Sequence, residues 1–189
     1  MAFFRLVPNL TIMAPKDFKE LEDMLEFAIF LEKPVVIRYP RGEESKEKLD
    51  NNLKIEFGKS EILSYGKDLT ILAIGKEVSK AIQVKNELKE KGIEAEVINV
   101  RFLKPLDTSK IIESIIKTKY VVTIEDNTLI GGLASSVKEL IIENELKDIK
   151  IKSFGYPDVF VEHGMTNELE EKYGVDVKNI VKIILQNFL

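Results

Sequence analysis

An open, mostly parallel α/β sheet sandwiched by helices is the fold this sequence predicts. Two patterns predict it. From Leu69 onward, short β-branched runs alternate with segments of helical period, an order that implies parallel pairing through right-handed crossovers. The strand-like runs are apolar on both faces, which implies a sheet covered on both sides. Composition agrees. The 189 residues are 44% hydrophobic and 32% charged, as in a globular chain of one domain, or one domain with a piece of another.

The elements follow in order. Leu10-Thr11-Ile12-Met13 reads as a short apolar strand. Pro15 and Asp17 then open a helix, since an early Pro and early carboxylates suit a first turn. Leu21, Met24, Leu25, Ala28 and Ile29 recur at helical spacing and predict its inward face. Pro34 stops it, and Val35 to Tyr39 is strand-like. The polar, charged run from Glu43 to Asn52 lacks apolar periodicity and reads as an exposed linker at a domain boundary. Beyond it, residues 55–58 and 61–63 are expected to form a short edge hairpin. Residues 69–74 form a buried strand, and residues 77–91 form a helix with Val78, Ala81, Ile82 and Leu88 inward and Gly92 at its end. A strand at 95–100 precedes a helix capped by Asp107 and running to about Thr118. A strand at 120–124 precedes a helix opened by Gly131-Gly132, with Leu133, Val137, Leu140 and Ile141 inward. A strand at 149–154 and two helices, near 167–173 and from Asp176 onward, complete the chain. Asn167 and Glu170 have capping-box spacing.

Several function classes are excluded. No cysteine is present, so disulfides, thiolate metal sites and cysteine nucleophiles are absent, in keeping with a reducing cytoplasm. A formal charge of -4 argues against nonspecific nucleic-acid binding. No apolar run approaches the roughly 20 residues that span a bilayer. Phe3 and Phe4 beside the first residue read as the interior of a longer fold.

Four places carry possible chemistry. Gly131-Gly132-Leu133-Ala134-Ser135-Ser136 opens a helix, whose free N–H groups suit anions, but it lacks the Lys and third Gly of phosphate loops. Close backbone packing is the favoured reading. His163, the one histidine, could act catalytically only with a partner such as Glu162, Asp158 or Glu125; a surface or interface role is favoured. Glu125-Asp126 sits at a strand end, where ligands gather in α/β sheets, and could hold Mg²⁺ or move protons. Capping the next helix, or pairing with Lys, is favoured. Arg38-Tyr39-Pro40-Arg41-Gly42 is the strongest signal, since two guanidinium groups at a strand end suit a phosphate. A solvent-facing charged pair competes with it.

Taken in order, these segments resemble one enzyme family. Ile12-Met13-Ala14-Pro15-Lys16-Asp17 with Arg38-Tyr39-Pro40-Arg41-Gly42 resembles the end of the pyrimidine-binding domain of 1-deoxy-D-xylulose-5-phosphate synthases, thiamine-diphosphate enzymes related to transketolase. Val100-Arg101-Phe102-Leu103-Lys104-Pro105-Leu106-Asp107 resembles a segment of their C-terminal domain. Val122 to Asn127 with Gly131-Gly132, and Gly155 to Asp158 with His163-Gly164, continue the family's order. Asp126 stands where Glu is expected, and Leu133 where an aromatic is expected.

The resemblance implies that residues 1–42 end the pyrimidine-binding domain, 43–52 link, and 53–189 form a transketolase-like C-terminal domain. It implies Arg41 as the contact to the aldehyde's phosphate, with Arg38 in the same motif, and no catalytic, cofactor-binding or metal-binding residue in this chain. Thiamine diphosphate and Mg²⁺ are expected in the intact enzyme, held by an N-terminal part through a Gly-Asp-Gly motif that this chain lacks. The intact enzyme is expected to be a cytoplasmic homodimer that joins a two-carbon unit from pyruvate to glyceraldehyde 3-phosphate with loss of CO₂. The chain alone is expected to be inactive. The alternatives are the C-terminal part of a split transketolase or of a 2-oxo-acid dehydrogenase β subunit, and a noncatalytic assembly module.

Overall fold

The computed structural model describes residues 1–40 and 54–188, so Arg41 and the expected linker lie outside the described residues. The elements are α1 (Ala2–Arg5), β1 (Thr11–Met13), α2 (Phe18–Phe30), β2 (Val35–Ile37), β3 (Glu61–Ser64), β4 (Leu69–Ala73), α3 (Glu77–Lys89), β5 (Ala95–Asn99), β6 (Phe102–Lys104), α4 (Thr108–Thr118), β7 (Tyr120–Thr128), α5 (Leu133–Glu143), β8 (Lys150–Tyr156), α6 (Thr166–Lys172) and α7 (Val177–Phe188).

Five strands form the main sheet in the order β3-β5-β4-β7-β8. All neighbours run parallel except β3, which pairs antiparallel with β5 at the edge. The central strand β4 is buried throughout. Its side chains alternate between two cores. Leu69, Ile71 and Ala73 meet Val78, Ala81, Val84 and Leu88 of α3 and Ile180 and Ile184 of α7. Leu72 meets Ile111 and Ile115 of α4 and Leu133, Val137 and Leu140 of α5. Helices therefore cover both faces, as the apolar strands require. Gly92 adopts the left-handed conformation just past α3, as expected for a helix stop.

The first segment does not stand apart. β1 pairs parallel with β2 on one side and antiparallel with β6 on the other, making a second sheet of order β2-β1-β6. The pairing Met13↔Phe102 joins residues far apart in sequence, and Met13, Met24, Ile55 and Phe102 form a third core beneath α2. Segment 1–40 and segment 54–188 are thus joined by ladder hydrogen bonds as well as by side chains.

Five expectations need correction. Residues 55–58 form no strand. β3 pairs with β5 instead, while Ile55 is drawn into the core under α2. Helix α2 turns Glu20 and Met24 inward, and Leu25 and Ile29 are 49% and 76% exposed. Met24 and Ala28 of the expected face do pack inward, but the apolar residues encircle more than one face, so periodicity alone placed Leu25 and Ile29 wrongly. β7 continues through Glu125 and Asp126 to Thr128, because β8 supplies a pairing partner as far as Thr128↔Tyr156. Residues 102–104, read as connection, form β6 because β1 offers it an edge. Helix α6 starts one residue early, at Thr166, and Glu170 reaches Lys80 at 3.1 Å rather than closing a capping box with Asn167.

Asp107 does hold the N-cap position of α4, and its carboxylate accepts from the Ser60 N–H at 2.9 Å, the Ser60 hydroxyl at 3.0 Å and the Ser109 hydroxyl at 3.1 Å. Burial pushes this carboxyl up, but the donors outweigh burial and hold it below its ordinary value of 3.8. The ionised form is favoured by folding, so its contribution is full above that ordinary value and is lost as pH falls through the lowered one. Asp107→Asn is expected to cost about 1–2 kcal/mol at pH 7 and to flatten the acid limb of stability below pH 4. Urea unfolding of both proteins across pH 2.5–7 measures this.

Candidate functional site

The order β3-β5-β4-β7-β8 reverses direction at β4. The chain leaves β4 through α3 toward β5, and leaves β7 through α5 toward β8. In such sheets ligands sit at the carboxyl ends of the strands flanking the reversal. Here those ends carry Lys76, just after β4, and Asp126 of β7.

A third group arrives from the first segment. Arg38 follows β2, its backbone N–H donating to Met13 O at 2.9 Å. Its guanidinium donates to Asp126 Oδ2 at 3.2 Å, and Lys76 Nζ lies 3.3 Å from the same oxygen. Lys80 pairs with Glu77 at 2.6 Å and with Glu170 of α6 at 3.1 Å. Three cations and three carboxylates thus share one rim. Arg38 keeps 37% of its side chain accessible. Tyr156 borders the rim, where burial first, and then the charges of Asp126, Glu170 and Glu77, raise its hydroxyl to about 12. It stays a protonated phenol near neutral pH.

Glu125 and Asp126 take the bland roles expected of them. Glu125 accepts from the Leu133 N–H at 2.9 Å and the Ala134 N–H at 2.8 Å, and so caps α5. Burial raises its pKa against those hydrogen bonds. Gly131-Gly132 holds no anion pocket of its own, because the carboxylate of Glu125 occupies that helix N-terminus. A Cβ on Gly132 would stand 1.9 Å from Glu125 Oε2, so a larger residue there has to displace that carboxylate. This is the close packing the sequence favoured.

His163 is exposed in the loop between β8 and α6. Glu162, one of its possible partners, is bound instead by Lys172 and by the Tyr173 hydroxyl at 2.7 Å. The Lys172 ammonium holds that exposed carboxyl down at about 2.

A buried polar cluster went unread in the sequence. Lys16 and Glu20 from the first segment meet Glu61, Asn99 and Arg101 from the second, all buried. Arg101 Nε donates to Glu20 Oε1 at 2.7 Å, and its terminal nitrogen lies 3.0 Å from Glu61 Oε2. Lys16 Nζ lies 2.8 Å from Glu61 and 3.3 Å from Glu20. Asn99 Nδ2 donates to Glu20 Oε1 at 2.9 Å. The one available signal was that Lys16 and Arg101 each interrupt an otherwise apolar strand-linked segment.

Among the described residues, no three His, Asp or Glu side chains are grouped to hold a metal ion. Among the same residues, no helix is long and apolar enough to cross a membrane.

Two family models match the chain: "Transketolase, C-terminal domain" over residues 58–180 and "Transketolase, pyrimidine binding domain" over residues 1–45. Its relatives include the 1-deoxy-D-xylulose-5-phosphate synthase of Halothermothrix orenii, 44% identical over 98% of this chain and 29% of that protein. The synthase of Desulforudis audaxviator is 42% identical over 96% of this chain and 29% of that protein. The chain therefore spans under a third of the length of these relatives. A solved structure described as "Split gene transketolase, inactive beta4 tetramer" has a TM-score of 0.90 at 32% identity, covering 99% of this chain and 60% of that one. A transketolase from Campylobacter jejuni shares the fold at a TM-score of 0.74 and 20% identity, over 98% of this chain and 27% of that one.

Proposed function

Because this chain belongs to the transketolase family, through the C-terminal domain matched at 58–180, we propose that it is the C-terminal part of a 1-deoxy-D-xylulose-5-phosphate synthase. The observation that carries the reading is the identity of 39–44% along nearly the whole chain to several enzymes of that name. The intact enzyme condenses pyruvate with glyceraldehyde 3-phosphate with loss of CO₂, a precursor step for isoprenoids and thiamine. Thiamine diphosphate, with Mg²⁺, supplies the carbanion chemistry from the part of the enzyme outside this chain. Residues 1–42 end the pyrimidine-binding domain, 43–52 link, and 53–189 form the C-terminal domain.

In this reading the chain's own contribution to the site is Arg41, which binds the aldehyde's phosphate, with Arg38 beside it in the motif. The partner is the remaining N-terminal part, which covers the exposed apolar side of α2 formed by Phe18, Leu25, Ile29 and Phe30. The assembled enzyme is a cytoplasmic homodimer, and sedimentation of the intact protein measures that. In the intact enzyme, Arg41→Ala is expected to raise KM for glyceraldehyde 3-phosphate 10- to 150-fold, about 1.5–3 kcal/mol for a charge-assisted contact. Unphosphorylated glyceraldehyde is expected to be used as before. Unchanged kinetics with the phosphorylated substrate would remove Arg41 from the site.

A second reading is the equivalent portion of a split transketolase, favoured by the structural neighbour with a TM-score of 0.90. The coding sequence immediately upstream separates the two. A synthase has the cofactor-binding half in the same reading frame, whereas a split enzyme has it in a separate gene.

A further inference from the structure

We infer that Asp126 is a positioning residue for the substrate phosphate, acting through Arg38. The inference rests on the proposed phosphate-binding motif, takes Arg38 as its second phosphate contact beside Arg41, and adds a residue from the other segment to it. Arg38 is fixed at two ends. Its backbone N–H is bound to Met13 O at 2.9 Å, inside the interlocked second sheet, and its guanidinium tip is bound to Asp126 at 3.2 Å. A guanidinium is planar and has five N–H donors in a rigid fork. One hydrogen bond from a terminal nitrogen to a carboxylate narrows the positions the guanidinium can take without closing its remaining donors, and 37% of the side chain is still open to solvent. Lys76 is drawn to the same carboxylate oxygen, at 3.3 Å, so a second cation is gathered at the rim. Lys76 is itself steadied by Glu77 at 3.7 Å and Glu170 at 4.0 Å.

The sign of the effect discriminates between two roles. A carboxylate beside a phosphate site weakens the local positive field. If Asp126 did only that, removing its charge would tighten phosphate binding. If it pre-orients Arg38, removing it frees a long side chain that must be ordered again on each binding event, and binding weakens. The two-point anchoring of Arg38 supports the second role.

The test uses the intact enzyme containing this chain, with pyruvate saturating and either glyceraldehyde 3-phosphate or glyceraldehyde as acceptor. Asp126→Asn is expected to raise KM for the phosphorylated acceptor roughly three- to tenfold, the range one immobilised side chain supplies. Its kcat is expected to stay within about twofold, and glyceraldehyde to be unaffected. Asp126→Glu is expected to restore most of the affinity, and adding Asp126→Asn to Arg38→Ala to bring no further loss. A lower or unchanged KM in Asp126→Asn, with KM raised in Arg38→Ala, overturns the inference and leaves the phosphate reading of Arg38 intact. An equal loss with both acceptors, or a loss in kcat, assigns Asp126 a merely structural role and also overturns it. If Arg38→Ala itself is silent, the phosphate reading of Arg38 falls first and this inference falls with it.

Discussion

Arg101→Met is expected to lower the stability of the chain by about 3–5 kcal/mol, because it leaves two buried carboxylates facing a single buried ammonium. Arg101 and its partners Glu20, Glu61 and Lys16 are each within a few per cent of full burial, so neither water nor salt screens what remains. The formal charges of the four balance only while Arg101 is present. Methionine matches much of the arginine's length, so the loss is electrostatic and not a cavity effect. Arg101 also lies in the left-handed backbone region, at φ 58°, with its N–H donating to Asn99 Oδ1 at 3.2 Å. That backbone strain persists in the variant, so the charge effect is isolated. The companion Arg101→Met with Glu61→Gln restores the count and is expected to recover a substantial part of the loss. Urea denaturation of the three proteins measures it. Because Lys16 and Glu20 come from the first segment, limited proteolysis is expected to cut the single variant first between residues 1 and 40. A loss under 1 kcal/mol would mean that the cluster is open to water in solution.

Gly132→Ala is expected to cost about 3 kcal/mol or more. Its Cβ would fall 1.9 Å from Glu125 Oε2 and 2.8 Å from Glu125 Cδ, so the buried carboxylate has to leave its present place on α5. Glu125 must therefore give up its hydrogen bonds to the Leu133 and Ala134 N–H groups. A charged cap is lost, and a carboxylate is displaced within a buried site. Glu125→Gln, which keeps the shape and one acceptor, is expected to be milder. Thermal unfolding compares them. A Gly132→Ala protein as stable as the parent would mean that Glu125 yields to the new methyl group without losing its cap on α5.

The main sheet was legible because its strands follow simple rules. Leu69 to Ile74 and Val121 to Ile124 are apolar on both faces, and the helices between them carry inward residues at regular spacing. The helix-capping role of Glu125 was also readable, as one of two bland options, from its place ahead of Gly131-Gly132. What stayed hidden depends on contacts between distant segments. Phe102 to Lys104 has no pattern that marks a strand, and becomes β6 only because β1 lies beside it. The inward side of α2 was read correctly at Met24 and Ala28 but missed Glu20, a charged residue buried there by Arg101 and Lys16, and wrongly included Ile29, which is exposed. Buried ion clusters of this kind violate the rule that charges face water, and no local pattern announces them. The pairing of Arg38 with Asp126 is likewise invisible at a separation of 88 residues.

The account is tested most directly by turnover of pyruvate and glyceraldehyde 3-phosphate, with thiamine diphosphate and Mg²⁺ added, by the purified 189-residue chain and by the same chain joined to the polypeptide encoded upstream. Product is predicted only from the joined protein. Turnover by the 189 residues alone would contradict the assignment of the cofactor-holding half to another part of the enzyme.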